Sequence, residues 1–238
     1  VGIWPGEVSP ELTERLKAYM LKAAREAKER TSWINPDAEY ERSLERFVEQ
    51  SLRNPPFVSD VAAMAARLAR VGFLVGLSQA LVKVASPGVP DYYQGTEIWD
   101  FSLVDPDNRR PVDYGLRAKL LSSLGKNASE LLQNLADGRA KLHVITKGLE
   151  MRKQFPALFQ GGRYTPLRAD GGREENIVAF SLSDPTQRIV AVAPRLFARL
   201  MDGDDLGPLG AKAWGEARLP LEGQYVNVLT GERHEGRA

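Results

Sequence analysis

The longest apolar run of the sequence, residues 59–85, limits the possible folds more than any other feature. Four charged residues interrupt the run, namely Asp60, Arg67, Arg70 and Lys83, and a charged side chain is costly at the centre of a membrane. We therefore interpret the run as buried or half-buried helix and not as a membrane span. Gly72 and Gly76 weaken one continuous helix, so we expect two helices that meet near Gly72. A helix that is apolar nearly all round needs a large domain to cover it.

The overall composition is that of a soluble globular protein. Among 238 residues, 26% are charged and 43% are hydrophobic, and the formal net charge is +1. Such a balance gives no basic field for nucleic acid or for an anionic membrane, and we expect neither as a partner. Because there is no cysteine, disulfides, thiolate zinc sites and cysteine nucleophiles are excluded. We expect a cytoplasmic location.

The N-terminal part predicts two amphipathic helices. Ser9, Pro10 and Glu11 form a helix start, with a cap, a proline in the first turn and an acid near the positive end of the dipole. Asn35, Pro36 and Asp37 predict a second start. The charged residues between the apolar positions of the first helix are interpreted as a solvated face; they are Lys17, Lys22, Arg25, Glu26, Lys28 and Glu29.

Residues 86–114 form the stretch most suggestive of a ligand site. Pro87, Gly88 and Pro90 prevent helix, and residues 91–94 are predicted to form one short buried strand. A polar loop follows, and loops held by a rigid scaffold often bind ligands. Carboxylates and arginines bind hydroxyl groups, and flat rings cover the apolar faces of sugars. Its polar and aromatic residues are Glu97, Trp99, Asp100, Asp105, Asp107, Asn108, Arg109 and Arg110.

The remainder changes from helical to alternating periodicity at Gly161 and Gly162. Helices are predicted over residues 114–124, 128–135 and 140–154. The strands of an antiparallel sheet are predicted at residues 164–167, 177–182, 188–193 and 225–229. Turn signals separate the strands; they are Asp170-Gly171-Gly172, Ser183-Asp184-Pro185 and Asp202-Gly203-Asp204.

Three segments together resemble one enzyme family. PGVPDYYQGTE (residues 87–97) resembles the eighth barrel strand of the α-amylase superfamily, glycoside hydrolase family 13. LVDPDNRRPVDY (103–114) and TSWINPDAEYE (31–41) are similar to the maltooligosyltrehalose synthase family within it. The likeness extends to LPLEGQYVNVLTGE near the end of the chain (219–232). The resemblance implies an isomerase of trehalose biosynthesis, which converts the reducing-end α-1,4 linkage of a maltooligosaccharide into an α,α-1,1 linkage.

The resemblance also implies a fold and a division of the chain. We expect an α+β protein whose residues 1–158 contain the last strand and the helices of a (β/α)8 barrel. Residues 159–238 would form a small antiparallel β-sandwich, truncated at its end. Residues 1–5 lack the basic region and the apolar run of a signal peptide, and there is no initiator methionine, so we expect a fragment. The missing N-terminal part of the enzyme would be its partner, and exposed apolar helices would allow the fragment alone to self-associate.

No catalytic residue is assigned within this chain. Members of the superfamily use one carboxylate as nucleophile, a second as acid and base, and a third to support the distorted sugar. The resemblance places all three on earlier barrel strands, so we expect the chain alone to be inactive. It would form one wall of a maltooligosaccharide site. We hypothesise that residues 95–110 help to keep water from the reaction intermediate.

The candidate substrate-binding residues include one acid and two arginines. Glu97 is expected at the rim of the barrel strand, where it would bind a sugar hydroxyl or orient its neighbours. Alternatively, it forms a structural ion pair with Arg109 or Arg110. Arg109 is interpreted as lining the site, and Arg110 is retained as a candidate. Asp105 and Asp107 are interpreted as residues of a tight turn.

Aromatic residues complete the set of candidates. Tyr92 and Tyr93 would point to opposite sides of the predicted strand, and Tyr93 is the candidate for sugar contact. Trp33 and Trp99, each on a loop, are candidates for stacking on a glucose ring. Histidines have no partner at metal-ligand spacing, and no glycine-rich phosphate loop is present. We therefore expect no metal and no cofactor.

Three alternatives stay open, one of which is a purely structural C-terminal piece with no ligand of its own. A hydrolase of the same superfamily would share the barrel, although the motifs at residues 31–41 and 105–111 argue against it. A non-catalytic glycan-binding module would need only the aromatic and acidic residues of the loop. Binding of maltooligosaccharides without turnover would distinguish that module from an enzyme.

Overall fold

The computed structural model describes residues 1–125, 127–201 and 207–236. Its architecture is mixed, with a helical N-terminal part followed by small antiparallel sheets, as the sequence predicted. The turn predicted at residues 202–204 lies outside the described residues.

The chain divides into two compact units. The first consists of Val1–Ala69 with Asp100–Val112, and the second of Arg70–Trp99 with Asp113–Ala238. The division expected between residues 158 and 159 stays a prediction.

The two N-terminal helices start at side-chain caps. Helix α1 (Pro10–Ala27) begins after Ser9, whose hydroxyl accepts a hydrogen bond from the amide of Leu12 at 3.1 Å. Helix α2 (Ala38–Arg53) is capped by Asp37, not by Asn35. The Asp37 carboxylate accepts hydrogen bonds from two amides of the first turn, each at 3.0 Å. These caps satisfy amides that have no partner within a helix.

Helices α1 and α2 form an antiparallel hairpin held by ion pairs. Lys17 pairs with Glu49 at 2.9 Å, and Arg25 pairs with Glu41 at 2.7 Å. The two ion pairs are eight residues apart along each helix. The earlier residue of α1, Lys17, pairs with the later residue of α2, Glu49, so the two helices run in opposite directions. The side chains of Lys17, Lys22 and Arg25 are each less than a quarter exposed. The prediction of a solvated face was therefore wrong for these three residues, because α2 and the loop of residues 101–110 cover them.

Helix α3 (Pro55–Ala85) is one continuous helix of 31 residues. The prediction of two helices meeting near Gly72 was wrong. A β-carbon at Gly72 would meet nothing within 4 Å, whereas one at Gly76 would lie 2.8 Å from the ring of Trp99. Gly76 therefore allows close contact with an aromatic ring and does not end the helix, and a glycine costs only about 1 kcal/mol in a helix.

By length and composition, α3 is apolar enough to cross a membrane, and it is the one such helix among the described residues. Core helices of soluble proteins satisfy the same criteria. The interpretation of α3 as a helix of a soluble domain stays a prediction.

Arg152 holds the C-terminal end of α3. One terminal nitrogen donates to the carbonyls of Val84 and Ser86, each at 2.9 Å, and the other donates to the carbonyl of Gly88. The last carbonyls of a helix have no partner within it, so the guanidinium satisfies groups that would otherwise be left without one. Burial lowers the pKa of Arg152 below its ordinary value.

The strand predicted at residues 91–94 is not formed. These residues have irregular structure and pair with no strand among the described residues. A parallel barrel strand needs hydrogen-bonded neighbours on both sides, and no such neighbours occur in the described structure. The 3-10 turn Asp107–Arg109 follows.

Four further α-helices lie between α3 and the first sheet in the described part of the chain. The three predicted helices are confirmed, as α4 (Tyr114–Ser122), α5 (Ala128–Gln133) and α6 (Arg139–Gln154). Pro156 ends α6 as predicted but also begins α7 (Pro156–Gly161), which the sequence analysis missed. Pro is well suited to a first helical position.

Helices α3 and α6 come into close contact in the second unit. A β-carbon at Gly148 of α6 would clash with the methyl groups of Val84, which is almost fully buried. Apolar clusters lie along the same helix, one around Leu74, Leu131 and Leu135 and another around Ala80 and Ile145. The second half of α3 thus supplies much of this core.

Two antiparallel sheets follow. Strands β1 (Arg163–Leu167), β2 (Ile177–Ser183) and β3 (Arg188–Pro194) form a sheet in that order. After α8 (Gly210–Trp214), strands β4 (Gly223–Val226) and β5 (Arg233–Gly236) form a separate hairpin. The four predicted strands are confirmed, with β4 ending before residue 229. β5 was missed because its charged sequence lacks alternation.

Candidate functional site

Asp107 organises the loop of residues 101–110 in the first unit. Its carboxylate accepts two hydrogen bonds from Arg15 of α1, each at 2.8 Å, and one from the amide of Leu103 at 2.6 Å. Arg15 also donates to the carbonyl of Phe101 at 2.7 Å. The ion pair and hydrogen bonds lower the pKa of Asp107 and raise that of Arg15. Asp107 is therefore a structural residue, as the turn chemistry indicated.

Two further contacts fasten the same loop to α1. Lys22 donates to the carbonyl of Asp105 at 2.5 Å. Arg110 donates to Glu11 at 3.0 Å and lies 3.3 Å from the Asp107 carboxylate. Arg110 is thus engaged in holding the loop.

Arg109 differs from its neighbour. Its guanidinium pairs with Asp105, and its side chain is 70% exposed. A salt bridge at the surface contributes little to stability, so the guanidinium can exchange this partner for a ligand at low cost. This exposure is consistent with the prediction that Arg109 lines a site, which stays a prediction.

Glu97, in the second unit, forms an ion pair with neither arginine considered from the sequence. Its Oε2 accepts a hydrogen bond from Arg117 of α4 at 2.9 Å. Arg117 also donates to the carbonyl of Gly95 at 2.5 Å. Among the described residues, Oε1 of Glu97 has no hydrogen-bond partner, and it remains available to a sugar hydroxyl.

Trp99 is a packing residue in this structure. Its ring lies 4.9 Å from that of Phe73, between centroids, and fits against Gly76. Its indole N–H donates to the carbonyl of Leu135, and Lys141 lies 5.4 Å from its ring. Trp99 is half-buried, and its role in stacking on a sugar stays a prediction.

Tyr92 and Tyr93 face different environments although they do not lie on a strand. Tyr92 packs against the cluster around Ala80 and Ile145, with the Lys83 ammonium 4.5 Å from its ring centroid. Its buried hydroxyl has no partner among the described residues, and burial raises its pKa. Tyr93 is exposed, as a residue that contacts sugar must be.

Trp33 lies on the loop between α1 and α2 with its side chain 57% exposed. The Arg25 guanidinium carbon is 4.9 Å from the ring centroid. Arg25 in turn donates to both carboxylate oxygens of Glu41, at 2.8 and 2.7 Å. A lone tryptophan is commonly a buried anchor, but this one is not buried.

The sequence analysis missed the residues that support these candidates. Arg15, Arg25, Glu41 and Arg117 occupy helix positions that look like ordinary surface charges. Their contact partners lie up to 92 residues away in the sequence, and a local sequence pattern cannot predict contacts between residues so far apart. Among the described residues, no cluster of His, Cys, Asp and Glu has the arrangement of a metal site.

The chain is similar to known proteins over nearly its whole length. No family model matches it. A protein of Mycobacterium tuberculosis (strain CDC 1551 / Oshkosh), named "Putative maltooligosyl trehalose synthase", is 36% identical over 233 residues. The solved maltooligosyltrehalose synthase of Arthrobacter ramosus superposes with a TM-score of 0.80 at 34% identity, over 98% of this chain. The chain is homologous to maltooligosyltrehalose synthases.

The homology covers a part of those enzymes. The matched region is 97% of this chain but 27% of the mycobacterial relative and 28% of the Arthrobacter chain. The Sulfolobus tokodaii "hypothetical maltooligosyl trehalose synthase" superposes with a TM-score of 0.72 at 30% identity, over 28% of its length. The predicted resemblance to maltooligosyltrehalose synthases is confirmed, and it extends over about a quarter of the length of these relatives.

Proposed function

We propose that this chain is the C-terminal part of a maltooligosyltrehalose synthase of glycoside hydrolase family 13, acting on maltooligosaccharides in trehalose biosynthesis. The observation that supports this best is the superposition on the Arthrobacter ramosus enzyme, at a TM-score of 0.80 over 98% of the chain. Residues 86–97 would supply the last barrel strand once its neighbours are present. The two sheets would together form the β-sandwich expected from the resemblance.

The proposed reaction needs groups that this chain does not supply. A nucleophilic carboxylate, an acid and a third carboxylate would come from the barrel strands of the rest of the enzyme. The residues present here would bind and orient the sugar and exclude water. In the first unit Arg109 would bind hydroxyls, and in the second Oε1 of Glu97 would bind a hydroxyl while the exposed Tyr93 would contact the apolar face of a sugar.

The test is a chimera. The segment of the Arthrobacter ramosus enzyme that matches this chain would be replaced by residues 1–238, and maltohexaose would be supplied as substrate. We expect loss of reducing ends with formation of the α,α-1,1 product. A folded chimera that releases glucose without that product would favour a hydrolase, and one with no activity would contradict the proposal.

The isolated chain provides the second arm of the test. We expect it to leave maltohexaose unchanged, since the three carboxylates are supplied elsewhere. Turnover by the isolated chain would show that its own residues carry out catalysis, and would contradict the proposed division of roles. Saturable binding by the isolated chain together with an inactive chimera would support the alternative, a non-catalytic glycan-binding module.

A further inference from the structure

Trp33 and Ile34 stand at the tip of the loop between α1 and α2. Ile34 is 97% exposed and Trp33 is 57% exposed. Their neighbours Asn35 and Asp37 are polar and exposed, and the exposed Pro36 lies between them, so the apolar area of this loop comprises one indole ring, one aliphatic side chain and one proline ring. A stable protein interface buries about 800 Å² on each partner, whereas one indole ring matches the size of one sugar ring. The patch therefore fits a small ligand better than a protein.

The loop that presents Trp33 is fixed by internal hydrogen bonds. The hydroxyl of Thr31, which is fully buried, donates to Glu41 at 2.6 Å and accepts from the amide of Asp37 at 3.0 Å. The amide of Ser32 donates to the carbonyl of Asn35 at 3.1 Å, and the amide of Asn35 donates to the Ser32 hydroxyl at 2.9 Å. Trp33 thus lies on a preorganised turn, which reduces the entropic cost of binding.

One face of the Trp33 ring is occupied. The Arg25 guanidinium lies 4.9 Å from the ring centroid, and both of its engaged nitrogens are held by Glu41. A cation over the face of an indole is attracted to it. Because Arg25 covers one face and most of the side chain is exposed, the opposite face is the one that a ligand can reach. A single accessible aromatic face, set on a rigid support, is what stacking on a glucosyl ring requires.

We propose that Trp33 is a stacking platform for one glucosyl unit of a maltooligosaccharide, with Arg25 and Glu41 as positioning residues that orient the ring. The ligand class rests on the proposed function. The position of the platform rests on contacts within the first unit. Glu41 fixes Arg25 and Thr31 at the same time, so a single carboxylate determines both the turn and the orientation of the ring.

The experiment uses the isolated chain, labelled with ¹⁵N, and follows its indole N–H resonances by NMR during titration with maltohexaose. We expect the Trp33 resonance, identified from the Trp33→Phe variant, to shift in a saturable way. Trp33→Ala should weaken binding about 3- to 10-fold, the range expected for one aromatic contact. Trp33→Phe should keep part of the affinity, and Trp4→Ala is the matched control and should bind as the parent chain does.

The positioning role has its own readout. Arg25→Met keeps the apolar part of the side chain but removes the charge. We expect this variant to bind maltohexaose more weakly than the parent chain, even at a temperature well below its melting temperature, where the variant is folded. Arg25→Lys should restore part of the affinity. If Arg25→Met melts earlier but binds normally, Arg25 is only structural and the positioning role is overturned.

The outcomes separate this inference from the proposed function. Unchanged affinity of Trp33→Ala, or no binding by the parent chain, overturns the platform, while an active chimera still supports the function. A Trp33 shift that follows protein concentration instead of maltohexaose indicates a protein interface and also overturns it. An inactive chimera, together with Trp33-dependent binding of maltohexaose by the isolated chain, would contradict the proposed enzymatic function and support the Trp33 platform.

Discussion

Glu41 joins three parts of the first unit, namely α1, α2 and the loop between them. It accepts hydrogen bonds from Arg25 and from Thr31, and these contacts lower its pKa to about 2. A glutamate in an unfolded chain titrates near 4.3. As pH falls below that value, the unfolded state takes up the proton first, so the native state loses stability. This contribution is fully present above about pH 4.3 and is lost as the pH approaches 2.

We therefore predict that Glu41→Gln reduces the acid sensitivity of the chain. Urea unfolding midpoints measured between pH 7 and pH 2 should fall less steeply below pH 4.3 in the variant, while its stability at pH 7 is lower than that of the parent chain. Glu39→Gln, in the first turn of the same helix, is the control. Parallel pH profiles for Glu41→Gln and the parent chain would show that the ion pair does not contribute.

Arg109 allows a functional prediction at the same scale. In the chimera, Arg109→Ala should raise release of free glucose relative to the α,α-1,1 product, because loss of a residue that closes the site admits water to the intermediate. Arg199→Ala is the matched control, since Arg199 is equally exposed and pairs with Glu175 at the surface. An unchanged product ratio for Arg109→Ala would contradict a role for this residue in water exclusion.

For single residues, the sequence identified candidate site residues but not the residues that contact them in the fold. Ser9 could be recognised as a cap from the adjacent residues alone. Glu97 was correctly seen as a possible ion-pair residue, but its partner is Arg117 on α4 and not Arg109 or Arg110. The ion-pair partner of Glu97 is determined by how its loop folds against α4, and the residue types near Glu97 in the sequence do not reveal this. The exposure of Trp33 could not be predicted from the sequence either, because a lone tryptophan is more often a buried anchor.

At the scale of elements, glycines have different roles within the helices. Gly148 lets α6 approach Val84 of α3, whereas Gly72 faces open space. The sequence analysis treated glycine in α3 as a helix boundary. Local propensity is a weak guide here, since packing of a long apolar helix outweighs about 1 kcal/mol per glycine.

We predict opposite effects for alanine at these two positions. Gly148→Ala should lower the free energy of unfolding by about 1–3 kcal/mol, the usual cost of overpacking. Gly72→Ala should raise it by up to about 1 kcal/mol through helix propensity. Urea denaturation measures both changes. In a Val84→Ala background the cost of Gly148→Ala should shrink, and an unchanged cost would show that contact with Val84 is not its cause.

The strands illustrate what alternation can and cannot reveal. β2 and β3 were recognised by their runs of apolar, mostly β-branched and small residues, and they pair in the register that places Phe180 opposite Ala191. β5 reads Arg-His-Glu-Gly and has no apolar face, so only its pairing with β4 defines it. Residues 91–94 show the converse, since an extended sequence forms no strand when it has no hydrogen-bonded neighbour.

At the scale of the whole molecule, the chain leaves an apolar surface uncovered. The first half of α3 exposes Phe57, Met64 and Leu68, which recur at helical spacing along one side. Contiguous apolar surface of this kind drives association in water. The barrel context inferred from the sequence motifs would account for this surface, but no sequence pattern fixes what covers it.

We predict that the isolated chain self-associates. Its elution volume on gel filtration should decrease as protein concentration rises, and the double variant Met64→Lys/Leu68→Lys should elute as a monomer. Val89→Lys, which changes an exposed apolar residue in a loop, is the control and should behave as the parent chain does. Concentration-independent elution of the parent chain would contradict the prediction.

The three carbonyl contacts of Arg152 bear on how the chain would be cut by proteases. Residues 86–90 have no regular secondary structure and contain exposed positions, which commonly marks a cleavage site. Here, however, Arg152 holds the carbonyls of Val84, Ser86 and Gly88, and the amide of Gly88 donates to Phe159 at 3.0 Å. A protease binds its substrate as an extended segment. Residues 86–90 should therefore resist digestion for as long as Arg152 keeps its hydrogen bonds to these carbonyls.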